Sequence, residues 1–134
     1  MTNDQTGPLI SEKGPVMKLE TLARQLGLTV HAGRDALDRE VTSGYAADLL
    51  SCAMAKARAG SVWVTLQGHS NIVAVASLTE AAGIIITEGV QPDDATINKA
   101  QEEGVPILTT ELTTFTVVGR LYELGVPGVE SLDE

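Results

Sequence analysis

The side chains able to do chemistry are sparse in this sequence, and their densest run is Gln67-Gly68-His69-Ser70-Asn71. Amides, an imidazole, a hydroxyl and a glycine in one turn suit the passage from a strand into a helix. There, free backbone N–H groups hold a phosphate or carboxylate without Lys or Arg. Four apolar runs end in the same way: Thr42-Ser43-Gly44, Thr65-Leu66-Gln67-Gly68, Thr87-Glu88-Gly89 and Thr109-Thr110. In a parallel α/β sheet such ends share the edge where ligands bind. The candidate ligand-binding residues are therefore Ser43, Gly44, Thr65, Gln67, Gly68, His69, Asn71, Thr87, Glu88, Gly89 and Thr109. Ser, Thr and Gly also cap helices and build turns with no ligand present. The excess over that need lies at Gln67, His69 and Asn71.

Other chemistries find less support. Gly68-His69-Ser70-Asn71 lacks the second glycine and the Lys-Ser/Thr pair of a phosphate-binding P-loop, and a GxGxxG run is missing as well. A small enzyme would use His69 as general base with Glu88 as its orienting acid, but no spacing links the two. No residue is assigned as catalytic. His31 and His69 are too isolated to indicate a metal. Cys52, beside Ser51 in an Ala-rich stretch, reads as an inert, partly buried thiol. Trp63 reads as core.

The elements that must position these residues centre on 61–89, which reads as one βαβ unit. Val62 to Thr65 and Ile84 to Thr87 are short apolar runs, typical of strands buried on both faces, and a parallel pair needs a crossover helix between them. Before this unit, Leu19, Leu22, Ala23 and Leu26 fall at helical spacing, with Gly27 placed to end the helix. Strands are expected over 28–31 and 39–42. An amphipathic helix is expected over 45–58, its stripe being Ala46, Leu49, Leu50, Ala53, Met54 and Ala57. After the unit, Gln91-Pro92-Asp93-Asp94 signals a helix start. Ile97 and Ala100 mark that helix's inner face, and 105–109 reads as a strand. Thr113 or Thr114 would cap a last helix that carries Phe115, Val118, Leu121 and Tyr122 inward.

The crossover helix is unusual. From Asn71 to Leu78 it is apolar on almost every side, and a helix of that kind cannot leave one face in water. It is either covered within the domain or covered by another subunit. In so small a domain the second is the expectation, with Ile72, Val73, Val75 and Ala76 as the candidate interface of a homodimer.

With 134 residues, the chain has room for a single domain. The expected division is a flexible leader over 1–15, an α/β domain over 16–127 and an acidic tail over 128–134. Aromatic residues make up only 3%, so the core must rest on Val, Ile, Leu and Ala. The net charge of −9 falls almost wholly after residue 60, where two basic residues face eleven acidic ones. That half repels nucleic-acid phosphates. No run is long and apolar enough to span a bilayer, and the single cysteine suits a reducing cytoplasm.

With these segments placed, the sequence resembles the DRTGG domain family over 17–126. The resemblance rests on Gly44-Tyr45 leading into Asp48-Leu49-Leu50-Ser51, and on Trp63-Val64-Thr65 leading into Gln67-Gly68-His69. It extends through Asn71 to Ala76, Ile84 to Thr87, Gly104-Val105-Pro106 and Gly119 to Gly125, although the string Asp-Arg-Thr-Gly-Gly itself is absent. The resemblance implies a three-layer α/β/α domain with a mostly parallel sheet of about five strands, similar to the N-terminal domain of HPr kinase. It also implies a regulatory module of the kind fused to CBS-domain pyrophosphatases and phosphotransacetylases, dimerising and nucleotide-responsive rather than catalytic. No resident cofactor is expected; an adenine nucleotide or another phosphate-bearing ligand is the candidate for the strand-end edge. The alternative is an interaction subunit whose acidic half docks on a separately encoded metabolic, redox or signalling enzyme.

Overall fold

Successive residues of a strand face opposite sides of a sheet, so a strand apolar at every position needs cover on both. The computed structural model describes residues 17–130, and the expected leader and the last four residues of the tail lie outside them. In chain order the strands are β1 (Met17–Lys18), β2 (Thr29–Ala32), β3 (Glu40–Val41), β4 (Ser43–Ala46), β5 (Ser61–Thr65), β6 (Gly83–Ile86) and β7 (Ile107–Thr109). The helices are α1 (Leu19–Leu26), α2 (Leu50–Lys56), α3 (Asn71–Thr79), α4 (Asp94–Glu103) and α5 (Thr114–Glu123).

Five strands form one sheet in the order β2-β7-β6-β5-β4, while β1 and β3 make a separate antiparallel ribbon. The strands β4, β5, β6 and β7 run parallel, and β2 joins β7 antiparallel. The sheet separates two cores. Val62, Val64, Ile85 and Leu108 face α1 and α5, where they meet Leu19, Leu22, Val117 and Leu121. Trp63, Ile84, Ile86 and Ile107 face the other helices, where they meet Ala53, Ile72, Val73 and Ala100. This is the expected three-layer, mostly parallel α/β fold. Local signals end the helices as expected: Gly27 (φ 68°) closes α1, and the side chains of Asp93 and Thr113 cap α4 and α5.

Four expectations change. Helix α2 begins at Leu50 rather than at 45, because Tyr45 and Ala46 extend β4 alongside Trp63 and Val64. The indole of Trp63 then donates to the Ala47 carbonyl at 2.9 Å, which holds the following segment extended. Helix α3 is covered within its own protomer. It packs between α2 and α4, and Ile72, Val73, Val75 and Ala76 are all buried. They are therefore not available as an interface, and only Asn71, Ala74, Ser77 and Leu78 look outward. Helix α5 is rotated from its expected setting: Val117 and Leu121 are buried, whereas Phe115, Val118 and Tyr122 are exposed. At the far end, Gly44 N–H donates to the Pro127 carbonyl at 2.8 Å and Val129 is buried, so the first residues assigned to the tail pack on the fold.

Candidate functional site

The parallel strands bring their carboxyl ends to one edge, and most of the expected residues gather there. Ser43 and Gly44 do not. Ser43 starts β4, level with Ser61 at the start of β5, so both lie at the amino end of their strand, away from that edge. They entered the candidate set because Thr42-Ser43-Gly44 reads as a strand exit; in fact it is an entrance.

At the ends of β4 and β5 the protein fills its own edge. Asp48 Oδ1 accepts from the Thr65 hydroxyl at 3.0 Å and from Leu66 N–H at 2.8 Å. The Gln67 side-chain amide donates to the Asp48 carbonyl at 3.0 Å. Thr65 and Gln67 are thereby fixed by Asp48, a residue off the apolar stripe expected over 45–58.

Beyond β5 the chain turns at Gly68, where an added Cβ would stand 2.8 Å from the Gln91 carbonyl. A side chain at this position would push the turn away from Gln91 and Pro92, the segment that leads into α4. Thr96 Oγ1 lies within hydrogen-bond reach of both the Gly68 carbonyl, at 2.8 Å, and Asp93 Oδ1, at 2.6 Å. Hydrogen bonds from the Thr96 hydroxyl and N–H hold the Asp93 carboxyl below the usual carboxylate range, with His69 adding a smaller pull. His69 Nδ1 sits 3.7 Å from Asp93 Oδ2, with 78% of its side chain exposed. Helix α3 starts immediately afterwards with no side-chain cap, leaving Asn71 at an exposed first turn.

At β6, Thr87 Oγ1 and Thr114 Oγ1 are 2.6 Å apart. Glu88, in the left-handed region (φ 61°), turns its Oε2 to accept from Thr114 N–H at 3.0 Å. A carboxylate at this position complements the positive end of α5. Gly89 N–H donates to the Thr110 carbonyl at 3.0 Å. His69 and Glu88, the pair an enzyme would need, thus have different partners. Among the described residues no group of three His, Cys, Asp or Glu side chains could hold a metal ion.

The edge is open beside β7. Residues Val30 and Ala32 pair with Leu108 and Ile107, two steps on β2 against one on β7, so His31 is the extra residue of a bulge. A bulge re-aims a side chain, and here His31 Nε2 lies 2.9 Å from Thr109 Oγ1. The two side chains stand in the wall of a cleft of about 470 Å³ that also takes in Gln91, Thr110, Glu111 and Arg120. Among the expected site residues, only Thr109 lines it. His31 is expected at the end of the strand over 28–31 and is set aside as a metal ligand, and Gln91 is expected in a helix start; neither is among the expected site residues. Arg120 carries the signal that sequence reasoning passed over: with Lys99 it is one of two basic residues after position 60.

No helix among the described residues is long and apolar enough to cross a membrane. No curated protein matches the sequence. Among solved structures, the chain is similar to the CBS and DRTGG domains of the regulatory region of Clostridium perfringens pyrophosphatase, complexed with the activator diadenosine tetraphosphate. The TM-score is 0.65 at 16% identity, over 86% of this chain and 50% of that one, so the chain spans about half the length of that region. The DRTGG domain model matches residues 21–124, and the chain belongs to the DRTGG domain family.

Proposed function

We propose that this chain is a non-catalytic regulatory module that works as a homodimer and senses a small anionic metabolite or a nucleotide at the carboxyl edge of its sheet. The observation that carries the reading is the cleft beside β7. There a bulge turns His31 onto Thr109, and Arg120 supplies one of the two positive charges in the acidic half of the chain. Arg120 would pair with the ligand's acid group. Thr110 and Gln91 offer further hydrogen bonds, and Glu111 on the same rim accepts them, which suits a ligand carrying donor groups beside its acid, as adenine and ribose do. The exposed first turn of α3, with His69 and Asn71, is a second opening to an anion on the same edge. The similar pyrophosphatase region is complexed with a dinucleotide activator, which makes adenine nucleotides the first ligands to try.

Thermal-shift measurements with adenine nucleotides and acyl phosphates test the reading. A ligand at about 100 times its dissociation constant should stabilise the chain by about 2.7 kcal/mol. Arg120→Ala should abolish the shift while leaving the unliganded melting temperature in place. No shift with any of these compounds would remove the ligand from the proposal.

A further inference from the structure

Helix α5 has a side that none of the described residues covers. Phe115 is 89% exposed, Tyr122 75% and Val118 40%, and their spacing puts them on one stripe. Gly119 lies in the same stripe, and a Cβ added there would meet nothing within 4 Å. Glycine weakens a helix interior, and none of the described residues occupies the space it leaves. Alongside runs an apolar cleft of about 280 Å³ whose walls include Tyr45, Val64, Leu121 and Val126.

We propose that two copies of the chain meet on this face, with α5 packed antiparallel on α5 of the second copy and the crossing at Val118 and Gly119. This names the contact surface of the homodimer proposed above and rests on that reading. The crossing sets Val118 of each copy against Gly119 of the other, and Phe115 level with Tyr122 at the mouth of the other copy's cleft. The missing side chain at Gly119 lets the helix axes approach toward the close end of the roughly 8–10 Å range.

Charge favours a second copy over a basic partner. Two chains of net charge −9 repel each other and can meet only where the surface is locally neutral. The stripe of Phe115, Val118, Gly119 and Tyr122 itself carries no charge, and Arg120 stands instead in the wall of the cleft beside β7. A basic partner would be drawn instead to α4, with Asp94, Glu102 and Glu103. The area is adequate as well. Two aromatic side chains from each copy bury roughly 600–1,000 Å² between them, at least half of the roughly 1,200 Å² at which specific interfaces begin.

The test is light scattering and sedimentation equilibrium on the full 134-residue chain through the micromolar range. The wild type should dimerise. The double variant Phe115→Ser/Tyr122→Ser should raise the dissociation constant about 30-fold or more, and Gly119→Arg, which fills open space in the protomer, should do the same. Circular dichroism should show both variants folded. A wild-type dimer indifferent to both changes would overturn this surface and leave the homodimer standing. A wild type that stays monomeric throughout would overturn both.

Discussion

Helix α3 lies between α2 and α4 on one face of the sheet, while α5 shares the other face with α1 and lies over β5 and the border strand β4. A helix in the middle of a layer is covered by the sheet below and by neighbours on both flanks. A helix at the border keeps one flank open. Helix α3 is the more apolar of the two by composition, yet its large side chains are buried, apart from Leu78. Helix α5 is more mixed, yet it leaves Phe115, Val118 and Tyr122 in solvent. Position within a layer, rather than total hydrophobicity, decides which helix has apolar surface to offer a partner.

Three substitutions probe this contrast through chemical denaturation. The largest effect is expected from Ile72→Ala in α3, which opens a cavity in a fully buried site and should cost about 2–5 kcal/mol. A loss below about 1 kcal/mol would mean that α3 is not the covered helix described here. Next, Gly119→Ala in α5 should stabilise the chain by about 1 kcal/mol, measured at a dilution where it is monomeric, because the added methyl meets open space. Destabilisation would show a neighbour at that position. The smallest effect belongs to Leu78→Ser, at the 71% exposed outer side of α3, which should stay within about 0.5 kcal/mol. A larger loss would show that this side is covered after all.

The same contrast explains how far the sequence could be read. The βαβ unit over 61–89 was legible because both strands are apolar at every position, and two-sided cover admits few architectures. The caps at Gly27, Asp93 and Thr113 were legible because capping chemistry is local. Helix α5 was not, because it carries two apolar stripes: Phe115, Val118 and Tyr122 on one side, Val117, Leu121 and Leu124 on the other. Periodicity finds both and cannot choose between them; the fold buries the second. The strand at Tyr45 and Ala46 was hidden because Ala46, Leu49, Leu50 and Ala53 also fit a helical stripe. In the site, Thr65, Gln67 and Glu88 were correctly placed at strand ends. Their partners, Asp48 and Thr114, come from other segments, and no local pattern reports such a pairing. The bulge at His31 depends on register with β7, a relation between distant strands.

That register has a consequence for how the chain is made. Both outer strands of the sheet are joined by segments distant in sequence: β2 pairs with β7, and the border strand β4 is met by Pro127 and Gly128. While the polypeptide is still emerging during synthesis, neither margin can close, and unpaired strand margins invite aggregation. Closing both margins of the sheet therefore waits for the segment up to Gly128, and long-range pairing of this kind is slow. A nascent fragment stopped before β7 would leave β2 with no strand to join.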